Sequence, residues 1–156
     1  MLSVNVPGYK QMELKHLVLD YNGTLALDGK VLDGVLQRLD RLSGSVKIHV
    51  LTADTFGGAR EELAGLDCSF HVIPEEGQAR AKSEYVRELG EKYAAAVGNG
   101  RNDALMLERA ELGIALLLEE GAAVSALSSG DIVCRDIKHA LDLLLYPMRL
   151  KATLRA

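Results

Sequence analysis

The sequence predicts an α/β fold: a Rossmann-like three-layer sandwich with a mostly parallel central sheet and no cap domain. Three observations lead there. Short apolar runs of strand length alternate strictly with amphipathic stretches at helical spacing. The connections between them are short and contain glycine, as crossover units require. Polar residues cluster where the apolar runs end, and in parallel sheets ligands bind at those ends.

The elements follow in order. After a lead in which Pro7 and Gly8 suit a hairpin turn, His16-Leu17-Val18-Leu19 is continuous and apolar, as a strand buried on both faces should be, and it ends at Asp20. Val31, Leu32, Val35, Leu36, Leu39 and Leu42 then recur at helical spacing and predict a helix from Val31 to Leu42. Val46 to Leu51 reads as a strand, Ala59 to Leu66 as a helix, Phe70 to Ile73 as a strand and Ala79 to Leu89 as a helix. Ala94 to Val97 is a strand closed by Gly98-Asn99-Gly100, with a helix from Asp103 to Ala110. Gly113 to Leu117, Ala122 to Leu127, Ile132-Val133 and Ile137 to Tyr146 complete the alternation as strand, helix, strand and helix. Pro147 is expected to stop the last helix and leave a mildly basic tail. With no linker or repeat, residues 1–156 are expected to form one domain.

Composition narrows the function. The net charge of −4, with basic and acidic residues interspersed, lacks the footprint of a nucleic-acid binder, and no apolar run is long enough to span a bilayer. Cys68 and Cys134 stand alone, which fits a reducing compartment, and no secretory signal is evident. The expectation is a cytoplasmic protein without nucleic acid or membrane partners. His16, His49, His71 and His139 are scattered without metal spacing and are assigned no function; neither is the stripe of Leu141, Leu144 and Leu145.

Three strand ends carry the polar residues: Asp20, Thr52 with Asp54, and Asn99 with Asp103. A carboxylate leaving a buried strand into a loop with Asn22, Gly23 and Thr24 is what an aspartyl-phosphate enzyme needs, since glycine lets backbone N–H groups approach phosphate oxygens. Thr52 and the neighbouring Ala53 would serve the same oxygens. Lys82 would balance the charge of nucleophile and phosphoryl group, with Arg80 and Lys92 as nearby alternatives. Asp20, Asn99 and Asp103 would hold Mg2+, a hard cation that takes oxygen ligands. Gly98 to Asp103 lacks the third glycine of a dinucleotide fingerprint, and no P-loop pattern occurs.

Together, Asp20-Tyr21-Asn22-Gly23-Thr24, Leu51-Thr52-Ala53-Asp54, Lys82 and Gly98-Asn99-Gly100-Arg101-Asn102-Asp103 resemble the four ordered motifs of the haloacid dehalogenase superfamily. The resemblance is strongest to the phosphorylation domain of P-type ATPases, and Leu112-Gly113-Ile114-Ala115 and Asp131-Ile132-Val133 extend it to roughly Leu17 to Val133. It implies a Mg2+-dependent phosphatase or phosphotransferase with Asp20 as nucleophile, acting on a phosphorylated substrate. Asp54 and Asn102 would support the site from behind, although Asp54 has a second reading as a helix cap.

Two departures qualify the implied activity. Asn22 stands where ordinary phosphatases of the superfamily have an acid/base Asp, so turnover should be slow by roughly 10²- to 10⁴-fold, while its backbone carbonyl can still ligate the metal. Asn99 puts a neutral amide where a metal-binding carboxylate is implied. A second reading is therefore a phosphate-sensing or phosphoaspartate-holding module on the same fold. The intervals from Asp20 to Thr52 and from Thr52 to Lys82 are filled by core elements, leaving an open site. Such a site suits a macromolecular substrate or, by analogy with other capless members, a homo-oligomer whose neighbour acts as a lid.

Overall fold

A computed structural model describes residues 1–53 and 57–156. Strands β1 (Leu2–Asn5) and β2 (Gln11–Leu14) form an antiparallel lead-in hairpin, followed by β3 (His16–Asp20). A second small hairpin, β4 (Ala26–Leu27) with β5 (Lys30–Val31), precedes α1 (Val35–Ser43). The chain continues through β6 (Lys47–Thr52), α2 (Ala59–Glu62), β7 (Cys68–Val72), α3 (Gln78–Leu89) and β8 (Ala94–Gly98). A 3-10 turn at Arg101–Asp103 leads into α4 (Ala104–Arg109), then β9 (Leu112–Leu116), α5 (Val124–Ser129), β10 (Ile132–Cys134), α6 (Ile137–Leu145) and α7 (Pro147–Leu154).

Six strands form the central sheet in the order β10-β9-β8-β3-β6-β7, and each neighbouring pair is parallel. The alternation of side chains along a strand sends successive residues to opposite faces. Leu17, Leu19, Ile48, Val50 and Val97 accordingly pack with Val35, Leu39, Leu141 and Leu144 of α1 and α6. Val18, Leu51 and Ala96 pack with Val86, Met106, Leu107 and Ala126 of α3, α4 and α5. Full burial of one such aliphatic side chain stabilises the fold by about 1.5–3 kcal/mol. The result is the expected three-layer sandwich, and among the described residues no cap domain interrupts it.

Three elements differ from the sequence expectation, the simplest being α2, which ends at Glu62 rather than Leu66. The apolar spacing that predicted a helix from Val31 is broken by Gly29 and Gly34, both with φ near +80°, so Val31 pairs with Ala26 in a hairpin and the helix begins at Val35. Pro147 ends one helix and opens another. Lacking an N–H that a first helical turn would leave unbonded anyway, proline fits the first position of α7, and the expected tail is helical through Leu154.

Candidate active site

From β3 the chain moves outward to β6 and β7, then returns to the other side of β3 as β8. Strand order reverses between β3 and β8, and a crevice opens at their carboxyl ends. Asp20 is the last residue of β3; its neighbour Leu19 lies opposite Val97, so Asp20 stands level with Gly98 at the end of β8. Thr52 ends β6 beside it. The cleft has a volume of about 250 Å³ and is lined by Asp20, Asn22, Thr52, Ala53, Lys82 and Asn99, with Gln78, Gly100, Asn102 and Glu120 completing it.

Lys82 joins the two carboxylates at the centre. Its ammonium donates to Asp20 Oδ1 at 2.5 Å and to Asp103 Oδ1 at 2.7 Å, with only 1 % of the residue exposed. Neither Arg80 nor Lys92 takes this role; both are exposed. Asp103 is held in turn by the backbone: its Oδ2 accepts the N–H groups of Asn99 at 3.0 Å and Gly100 at 2.9 Å. Only glycine fits at position 98, because a Cβ there would lie 2.5 Å from Asp103 Cγ.

The loop after Asp20 curls back on itself. Gly23 adopts φ +76°, its N–H donates to Ala26 O, and the N–H groups of Thr24, Leu25 and Ala26 all converge on Tyr21 O. The Gly23 N–H, expected to face phosphate, is therefore spent within the turn. Thr24 is fully buried, and its hydroxyl donates to Asp20 Oδ2 at 3.1 Å, so it positions that carboxylate from beneath. Asn22 differs: among the described residues, nothing bonds its backbone N–H or carbonyl. Asn102 donates to Gln78 Oε1 at 2.7 Å, linking the β8 loop to the start of α3. Asp54 lies outside the described residues.

Burial raises the pKa of Asp20 to about 7, and the adjacent negative Asp103 adds to the rise, while Lys82 and the Thr24 hydroxyl pull the other way. Burial also opposes the charge on Lys82, yet Asp20 and Asp103 together outweigh it and hold the ammonium above its usual value. Two carboxylates thus share one cation, and with Asp20 ionised the buried trio carries a formal charge of −1.

A hard cation fits the donor set, which is all oxygen: Asp20, the Asn22 carbonyl, the Asn99 amide oxygen and Asp103. The Asn99 oxygen accepts from the Thr24 hydroxyl at 3.5 Å. Among the described residues no three His, Cys, Asp or Glu side chains are gathered as a ready-made metal cage, so a cation here would rest partly on amide, backbone and water oxygens.

Reasoning from sequence missed Gln78 and Glu120. Both sit in loops or helix starts at the carboxyl side of the sheet, and their place after a strand-like run was the available signal. It also left the histidines unconnected. His16 Nδ1 lies 3.0 Å from His49 Nε2, His49 Nδ1 lies 2.8 Å from the Tyr85 hydroxyl, and that hydroxyl lies 2.6 Å from His71 Nε2.

Fold and site together define a class: the chain has a haloacid dehalogenase-like fold, and its sequence is similar to that of P-type ATPases. It superimposes with a TM-score of 0.71 on a Legionella pneumophila protein assigned to the haloacid dehalogenase superfamily, subfamily III A, at 17% identity over 90% of this chain and 86% of the other. With the Moraxella catarrhalis 3-deoxy-D-manno-octulosonate 8-phosphate phosphatase, whose structure holds magnesium and phosphate ions, the TM-score is 0.67 at 16% identity, covering 91% and 94% of the two chains. Sequence kinship points further, to the P-type ATPases. Copper-exporting P-type ATPase B of Archaeoglobus fulgidus is 36% identical over 121 residues, 73% of this chain but 16% of the ATPase. An uncharacterized protein of Methanocaldococcus jannaschii is 50% identical over 72 residues, 46% of this chain and 77% of its own length. No protein-family model matches the chain. Among the described residues no helix is long and apolar enough to cross a membrane.

Proposed function

We propose that the protein is a slow, Mg2+-dependent phosphohydrolase or phosphotransferase in which Asp20 accepts the phosphoryl group. The observation that carries this reading is the buried Asp20–Lys82–Asp103 trio at the mouth of the β3/β8 crevice. The fold shared with phosphatases, one of them holding magnesium and phosphate, supports it.

An Asp20 oxygen attacks phosphorus; that bond forms as the bond from phosphorus to the leaving-group oxygen breaks. Lys82 and Thr24 hold the Asp20 carboxylate in a single orientation, which lowers the reorganisation needed for attack. The Thr52 hydroxyl and the N–H groups of Asn22 and Ala53 stabilise the equatorial oxygens. Mg2+, held by Asp20, the Asn22 carbonyl, Asn99 and Asp103, would screen the charge between carboxylate and phosphate. Asn22 cannot give a proton to the leaving group, so acyl phosphates, aryl phosphates and nucleoside polyphosphates react best. Water then attacks phosphorus, the bond to Asp20 breaks, and inorganic phosphate leaves. With no base at position 22 to take the proton of that water, this second step is the slow one.

The test is hydrolysis of para-nitrophenyl phosphate with and without Mg2+, by wild type and Asp20→Asn. Magnesium-dependent turnover that disappears in the variant is the expected result. Turnover that survives in Asp20→Asn would exclude Asp20 as nucleophile. No turnover in either protein would favour the second reading, a module that holds phosphate or a long-lived phosphoaspartate, for which the amides at Asn22 and Asn99 are the motivating observation.

A further inference from the structure

The loop after β9 approaches the crevice from the side of Asn99, and it is tied to that residue twice. Asn99 Nδ2 donates to Gly121 O at 3.1 Å, and the Ala123 N–H donates to Asn99 O at 2.9 Å. Gly121, at φ +75°, closes the turn through its N–H to Leu118 O. Glu120 is thereby carried over Gly23. The point that a Cβ on Gly23 would occupy is 2.6 Å from both Glu120 Oε2 and Asn99 Nδ2, and 2.9 Å from Asn99 Oδ1. Among the described residues the Glu120 carboxylate has no hydrogen bond or ion pair, and it lines the same cleft as Asp20, Asn22 and Lys82.

We propose that Glu120, whose exposed side chain is not gathered with Asp20 and Asp103 in this structure, turns in as a carboxylate ligand of the divalent cation and works as a matched pair with the amide of Asn99, an inference that rests on the metal-dependent reading above. Two physical arguments lead to it. The first is charge. Asp20 and Asp103 against Lys82 leave one net negative charge facing a doubly charged ion; Glu120 supplies the second. The second is hydrogen bonding. A carboxylate accepts only, so an Asp at position 99 would point an oxygen at Gly121 O. The amide instead donates to Gly121 O, and in doing so it fixes the loop that brings the carboxylate in. The negative charge absent from position 99 enters from position 120.

Mg2+ binding by the full chain, measured by isothermal titration calorimetry, tests this without any assay of activity. The proteins are wild type, Glu120→Gln, Asn99→Asp, the double variant and Asp20→Asn. Glu120→Gln should weaken binding by about 10- to 100-fold. Asn99→Asp alone should fail to tighten it, whereas the double variant should return to within about threefold of wild type. Unchanged binding in Glu120→Gln, with binding lost in Asp20→Asn, overturns the role of Glu120 and leaves the parent reading intact. Additive effects in the double variant overturn the pairing. No Mg2+ binding by wild type overturns both.

Discussion

Removing the Lys82 ammonium should be the most destabilising single change at the crevice. Lys82→Met keeps the apolar stem that fills the space beneath the sheet ends and deletes only the charge. Its partners sit at 2.5 and 2.7 Å, and all three residues are buried. Two unit charges about 4 Å apart interact by about 4 kcal/mol at an intermediate effective dielectric. Part of that is offset, because the ammonium no longer has to be desolvated. Breaking a buried pair while leaving its partner behind typically costs about 3–5 kcal/mol, and here two carboxylates are left facing each other. We predict a loss of that size in urea unfolding at pH 7.5 with EDTA present. Lys82→Met combined with Asp103→Asn removes the facing charge and should recover at least about half of the loss. A single variant within about 1 kcal/mol of wild type would refute the claim that this trio is a desolvated electrostatic unit.

Restoring a carboxyl group with Asn22→Asp should raise kcat toward aryl phosphates by about 10²- to 10⁴-fold, with KM rising alongside it because the slow second step is the one accelerated; an unchanged rate would undo the assignment of the loop. Gly23→Ala places a Cβ within 2.6 Å of Asn99 and Glu120 at a φ of +76°. It should lower stability by about 1–3 kcal/mol and abolish magnesium-dependent activity, and wild-type values for both would count against the close convergence there. Burial, with His16, His71 and Lys47 nearby, holds the His49 pKa at about 4, so between about pH 6.5 and 4 the unfolded chain binds more protons than the folded one. Stability from this residue is full above that window and is lost as pH falls through it, by about 2 kcal/mol once partial solvent screening is allowed for. Urea midpoints for wild type and His49→Gln should diverge as pH rises across the window, and parallel curves would exclude the effect.

What was legible in the sequence was whatever local pattern controls. The strand ending in Asp20 announced itself as an apolar run, and Gly98-Asn99-Gly100 as a strand terminus, because burial on two faces and tight turns each leave a local signature. Val31 and Leu32 misled because their apolar character serves a hairpin packed on the core rather than a helix, and the glycines at 29 and 34 decide the difference. Pro147 was read as an ending when it was also a beginning. Contacts across the sheet were invisible for another reason. His16, His49 and His71 lie on three parallel strands, and only their register with Tyr85 of α3 joins them. Glu120 was hidden in the same way, since nothing in its own neighbourhood says that Asn99 will draw its loop over Gly23.

The central claim is that Asp20 takes up the phosphoryl group, and the most direct measurement is to trap it there. The protein is incubated with radiolabelled acetyl phosphate and Mg2+, quenched in acid and digested, and the labelled peptide is mapped. The account predicts a hydroxylamine-sensitive label on the peptide containing Asp20, absent from Asp20→Asn and longer lived in wild type than in Asn22→Asp. A label on another residue, or phosphate release that continues in Asp20→Asn, would contradict it.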